Sequence, residues 1–230
     1  MDNNKLDIAI KMRPGSSAAE IKLTPGQEFT AEAGAMIAMS PSIGMTTTTH
    51  KKVAGGIMKG IKRMLSGESF FLNHYVASNQ GGTVWLGATQ AGDMMVKELS
   101  GEGLIVQGGS YVASSPDIDI DMNWQGFKSL LSKESLFWLS IKGKGTVVLN
   151  SFGAIYSIQV NGEYIVDTGH IVAFDESLNF TLTKAGKSWV SSILGGEGLV
   201  CKFKGNGTVW VQSHNTGSFG SILGPKLKPR

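Results

Sequence analysis

A five-residue phrase returns three times in this chain: Gly82-Thr83-Val84-Trp85-Leu86, Gly145-Thr146-Val147-Val148-Leu149 and Gly207-Thr208-Val209-Trp210-Val211. The copies lie about 60 residues apart, a period that marks a repeat architecture and constrains every other reading of the chain. A second phrase keeps the same rhythm: Gly34-Ala35-Met36-Ile37-Ala38, Gly109-Ser110-Tyr111-Val112-Ala113 and Gly169-His170-Ile171-Val172-Ala173. A third is a turn, Thr24-Pro25-Gly26-Gln27, Ser100-Gly101-Glu102 and Asn161-Gly162-Glu163. All three phrases fall in one order in each copy. The units run 6–90, 91–151 and 152–214, followed by a Gly-rich basic tail at 215–230.

Within each unit, β-branched and aromatic runs lie between Gly, Asn and Pro turns, the pattern of short strands. Gly fills 31 positions against 6 Pro, and hydrophobic residues make up 41% of the 230, which suits tight turns around a packed core rather than disorder. Asn161-Gly162 predicts a two-residue hairpin, because both central positions of a type I′ turn need positive φ. Alternation in Asp117-Ile118-Asp119-Ile120-Asp121 and Ser177-Leu178-Asn179-Phe180-Thr181 predicts strands with Ile118, Ile120, Leu178 and Phe180 facing a core. A unit of ~60 residues buries too little surface to be secure alone, so the three should share a core. The expectation is an all-β chain of three tandem repeats of a β-sandwich-like unit, with short helical inserts, forming one domain over 1–230.

Each unit carries an insert between its fourth and fifth strands. The first, His50 to Gly67, holds Lys51, Lys52, Lys59, Lys62 and Arg63 with no acid before Glu68. Its Ile57, Ile61, Met64 and Leu65 make one apolar stripe of a short helix. The second insert contains Trp124 and Phe127, and the third contains Trp189. The candidate contact surface is Lys59, Ile61, Lys62, Arg63, Met64, Leu65, Trp124, Phe127 and Trp189, against the plainer reading that the first insert's stripe packs back on the β body while its lysines are solvated. An apolar stripe beside cations suits an anionic membrane surface or a protein partner.

No residue set reads as a catalytic centre. The four histidines, His50, His74, His170 and His214, show neither the helical pair nor the close pair typical of metal sites. Asp117, Asp119 and Asp121 lack the Gly and distal Glu of a calcium loop and read as the wet face of a strand. Glu68, Glu134 and Glu197 end the three inserts at matching places. Threefold repetition of a carboxylate suggests one structural job repeated, since acid–base pairs need two carboxyls in unlike environments. Phosphate loops, nucleophile elbows and dinucleotide motifs are missing from the sequence, so no cofactor is expected. Cys201 sits in an apolar run and reads as a small buried hydrophobe. A net charge of +3 does not point to nucleic acid. The start shows no apolar signal core and no stretch is long enough to span a bilayer, which predicts a soluble cytoplasmic protein.

Ala33-Gly34-Ala35-Met36, then Leu65-Ser66-Gly67-Glu68-Ser69-Phe70-Phe71, Gly82-Thr83-Val84 and Gly195-Gly196-Glu197-Gly198 resemble the altered-inheritance-of-mitochondria family and its bacterial relatives. The likeness runs over nearly the whole chain. It implies a β-sandwich fold like that of the tryptophan RNA-binding attenuation protein, repeated within the chain, in a homo-oligomer. The family's mitochondrial members are linked to inner-membrane organisation and respiratory-complex assembly. It implies no catalytic residues. The functional expectation is a non-enzymatic oligomeric scaffold that contacts a membrane surface or a protein. RNA or small-ligand binding in crevices between repeats is the alternative, and Trp85 and Trp210, set in apolar strands, speak against stacking on RNA.

Overall fold

The computed structural model describes residues 5–49, 70–122, 124, 137–184 and 199–228. Unit one holds β1 (Asp7–Lys11), β2 (Ala18–Leu23), β3 (Glu28–Glu32), β4 (Met36–Met39), β5 (Ile43–Thr49), β6 (Phe71–Ala77) and β7 (Gly82–Leu86). Unit two holds β8 (Met94–Ser100), β9 (Leu104–Gln107), β10 (Tyr111–Ser114), β11 (Ile118–Asp121) and β12 (Trp138–Asn150). Unit three holds β13 (Ile155–Asp167), β14 (Ile171–Asp175), β15 (Asn179–Lys184) and β16 (Leu199–Gln212). A helix, α1 (Thr216–Leu223), follows. All named strand pairs are antiparallel. They form a small sheet ordered β1-β2-β7-β4 and a large one through β13-β16-β14-β9-β12-β10-β3-β6-β5.

The repeated phrases have matching surroundings. In unit one Met36 lies opposite Leu86 and Ala38 opposite Trp85, with a bulge between. The same bulge separates Tyr111↔Leu149 from Ala113↔Val148, and Ile171↔Val211 from Ala173↔Trp210. An extra residue on one strand fixes register, so each phrase keeps one set of side chains inward. The turn after this strand is also common to the three units. Ile43, Ile118 and Leu178 N–H donate to the carbonyls of Ser40, Ser115 and Asp175. The side-chain oxygens of those same residues accept from the backbone N–H of Thr83, Thr146 and Thr208, at 3.0, 2.9 and 2.8 Å. Ser and Asp are favoured at the first place of such a turn because they can make this kind of local bond.

Burial follows the strand alternation. Ile118, Ile120 and Leu178 face the core, Phe180 packs partly against it, and Asp117, Asp119 and Asp121 are exposed, as expected. Among the described residues the core is three clusters, and the first two draw on the unit that follows. Val112, Ala113 and Val148 of unit two join the cluster around Phe29 and Tyr75 of unit one. Val172, Ala173 and Trp210 of unit three join the cluster around Tyr111 and Leu139 of unit two. Removing apolar surface from water at these seams stabilises by about 25 cal/mol per Å².

Asn161-Gly162 departs from the hairpin expected of it. β13 runs straight through, with Asn161 opposite Asn206 and Gly162 opposite Gly205. Gly162 does adopt positive φ, +97°, but so does its partner Gly205, at +127°. The paired glycines place a positive-φ residue on both strands at one rung while the ladder continues instead of turning back. In the first two units the corresponding place is a true turn, closed by Gln27 N–H to the Thr24 carbonyl in one and containing Gly101 (φ +120°) in the other.

Candidate functional site

Polar chemistry is sparse where the structure can be read. Among the described residues no three His, Cys, Asp or Glu gather where a metal ion could be held. His74 has both ring nitrogens engaged, Nδ1 with Thr30 Oγ1 at 2.9 Å and Nε2 with Thr48 Oγ1 at 2.6 Å. His170 Nδ1 donates to the Gln212 carbonyl at 2.8 Å. Ser213 Oγ lies 2.8 Å from His214 Nδ1, yet it also accepts from Ala154 N–H. These contacts join neighbouring strands and turns. A depression lined by Lys97, Glu102, Gly103, Asp175, Glu176 and Ser177 is charged, and Lys142 bonds Glu176 across its margin at 2.9 Å.

What the described residues do offer is apolar surface in three places. β4 reads Met-Ile-Ala-Met and is exposed along its whole length. It pairs with β7 on one side, and no described strand covers the other. The second half of β13 exposes Tyr164 and Ile165, and among the described residues it pairs with β16 alone. β4 has neither a charge nor a proline of the kind that blunts an open strand, whereas the second half of β13 carries Glu163 and Asp167, with Glu163 drawn to Lys202 on β16 at 2.6 Å.

The third place is α1. Asn215 caps it by accepting from Ser218 N–H at 3.1 Å, and no residue of the helix is buried. Phe219, Ile222 and Leu223 fall on one face by their helical spacing, and Leu227 follows beside Lys226 and Lys228. Ile222 is 68% exposed. Phe219 rests edge-on against Phe152 at 5.4 Å, which ties the helix to the β body. Sequence reading missed this helix because Gly217 and Gly220 depress helix propensity. The signal present was Asn215 as an N-cap ahead of the Phe219, Ile222 and Leu223 spacing.

Of the expected contact residues, Trp124 alone is described. Its ring packs on Trp138, Phe174 and Phe180 at centroid distances of 6.3, 6.0 and 5.5 Å, so much of it lies against the third core cluster. Lys59, Ile61, Lys62, Arg63, Met64, Leu65, Phe127 and Trp189 lie outside the described residues, as do Glu68, Glu134 and Glu197. Trp210 is buried and Trp85 partly so. Among the described residues no helix is long and apolar enough to cross a membrane.

Similar proteins agree on architecture. The crystal structure of a Streptococcus pyogenes protein is 27% identical, superposes with a TM-score of 0.78, and matches 97% of this chain and 100% of its own. An uncharacterized protein of Streptococcus pyogenes serotype M6 is 27% identical over 229 residues, covering 97% of this chain and 92% of that relative. The family model described as "Mitochondrial biogenesis AIM24" matches residues 9–214.

Proposed function

That this chain belongs to the mitochondrial biogenesis AIM24 family is the premise from which we propose that it is a non-enzymatic scaffold seated on an anionic membrane surface. The observation that carries this reading is α1 and its extension, where Phe219, Ile222, Leu223 and Leu227 stand in solvent beside Lys226 and Lys228. A short apolar face flanked by cations gains from both acyl-chain contact and the negative surface potential, the latter about 1 kcal/mol per Lys near the headgroups. The first insert has the same chemistry in its sequence, through Lys59, Lys62 and Arg63 beside Ile61, Met64 and Leu65. RNA draws less support, since Trp210 is buried in β16 and the cation over its ring, Lys97 at 4.8 Å, already occupies that face.

Co-sedimentation with vesicles tests the proposal. Wild-type protein should pellet with phosphatidylcholine–phosphatidylserine vesicles and stay in solution with phosphatidylcholine alone. An Ile222→Asp/Leu227→Asp variant should lose at least tenfold in recovery, and a Lys59→Ala/Lys62→Ala/Arg63→Ala variant should lose a smaller part. Recovery that ignores phosphatidylserine, or that is the same for wild type and both variants, removes the membrane reading.

A further inference from the structure

We infer that β4 of one chain adds to the open edge of β13 in a second copy of the chain, so that chains join head to tail. The strand pairing required already exists twice inside each chain. β10 lies on β3 with Ala113 opposite Ala31 and Ser114 opposite Thr30. β14 lies on β9 with Ala173 opposite Val106 and Phe174 opposite Ile105. Each seam joins the strand of the Gly34/Gly109/Gly169 phrase to the strand before that phrase in the preceding unit. The series leaves one partner over at each end. Among the described residues, the phrase strand β4 of unit one and the second half of β13 of unit three each lack the partner strand that this kind of seam supplies.

Side-chain environments say the same thing. At the bulge, Ile37 corresponds to Val112 and Val172 through the shared register. Ile37 is 60% exposed, whereas Val112 is 1%. Ile165 corresponds to Ile105 and is 58% exposed where Ile105 is 1%. The cluster of unit one takes in Val112, Ala113 and Val148 beside Met94 of the next unit, and that of unit two takes in Val172, Ala173 and Trp210. The equivalent trio of unit one is Ile37, Ala38 and Trp85, and none of the three core clusters contains it. A neighbouring chain supplies the cluster that lacks them, around Phe174 and Phe203 of its third unit. Carrying over the internal register sets Ala38 opposite Val166 and Met39 opposite Ile165. Such a contact is heterologous: repeated, it either closes a ring or extends a filament. Main-chain hydrogen bonds supply adhesion and the buried side chains supply register.

The inference stands apart from lipid contact, and its test contains no lipid, so either reading can fail alone. In sedimentation equilibrium the wild-type protein should show a mass that is a multiple of the 24.4 kDa chain. Ile37→Asp and Ile165→Asp, both at exposed positions and so compatible with folding, should each return the mass to that of a single chain with an unchanged β-type circular dichroism spectrum. Register is read by mixing Met39→Cys chains with Ile165→Cys chains under mild oxidation, the native Cys201 being buried. Inter-chain disulfide should exceed by at least tenfold that from Met39→Cys mixed with the control Gln159→Cys. A wild-type mass of one chain at every concentration overturns the inference. So does a Met39→Cys/Ile165→Cys chain that cross-links only within itself, because the edges would then close on each other.

Discussion

Arg13 grips Asp93 with two parallel hydrogen bonds, Nε to Oδ1 at 2.9 Å and Nη2 to Oδ2 at 2.8 Å. The pair fastens the segment between β1 and β2 to the residue just ahead of β8. Asp93, whose side chain is 6% exposed, also accepts from Ser17 Oγ at 2.9 Å and from Met94 N–H at 2.8 Å. Burial by itself would raise the carboxyl. The bonds from Arg13, Ser17 and Met94 outweigh it and hold the group below the usual carboxylate range.

Removing this carboxylate should destabilise the fold. Asp93→Ala leaves Ser17 and the Met94 N–H without their acceptor and is expected to cost about 2–3 kcal/mol in urea unfolding at pH 7. Because the folded-state value is depressed, the stabilisation is present above the unfolded value, near pH 4 by model compounds. It is lost as pH falls through the lower folded value. The gap between wild type and Asp93→Asn should therefore shrink steadily when unfolding is repeated below about pH 4. A gap independent of pH would mean that the carboxylate charge contributes nothing.

Glu32 predicts the opposite slope. Burial raises its carboxyl from 4.5 to about 7. The folded state then holds the proton more tightly than the unfolded chain, so stability declines as pH rises from about 4.5 to about 7 and levels off above that. Glu32→Gln should remove the decline and, at pH 8, be the more stable protein by about 1–2 kcal/mol after allowance for residual solvent access. Urea midpoints at pH 4, 6 and 8 measure it directly.

Gly143 and Gly162 both have positive φ, +130° and +97°. A Cβ at Gly162 would touch nothing, while one at Gly143 would run into the Asp117 carbonyl. Gly162→Ala should thus cost about 1 kcal/mol for conformation alone. Gly143→Ala should cost more, because backbone must move as well. Equal losses in chemical denaturation would show that the clash is relieved.

Cys201 is fully buried, and desolvation pushes its thiol up to about 12. It should stay unlabelled by a thiol reagent in native buffer and react stoichiometrically in urea. Labelling at the rate of a free thiol without denaturant would require that β16 open locally.

The repeat phrases made the ladder legible because each contains the residues that set register: the glycine ahead of the bulge, and the Thr whose N–H meets Ser40, Ser115 or Asp175. Alternation at Ile118 and Ile120 likewise gave burial directly. Asn161-Gly162 misled because a positive-φ glycine fits inside a continuous paired strand as readily as in a turn, and the opposing Gly205 lies far along the sequence. Arg13 and Asp93 were invisible for the same reason, being joined only by the folded chain. The open edges at β4 and β13 could not be read either: Met36-Ile37-Ala38-Met39 looks like its buried counterparts, and position in the series alone decides its exposure.

Strand β16 is the common partner of β13, β14 and β15. During synthesis those three strands leave the ribosome before the one that unites them. Until residue 212 is free, β14 has only β9 to lean on, and β13 and β15 have no described ladder at all. A nascent chain halted before Leu199 would therefore display a finished first module, a second still missing Trp210 from its core and an unassembled third, and β16 acts as the clasp that ends this exposure to chaperones and proteases.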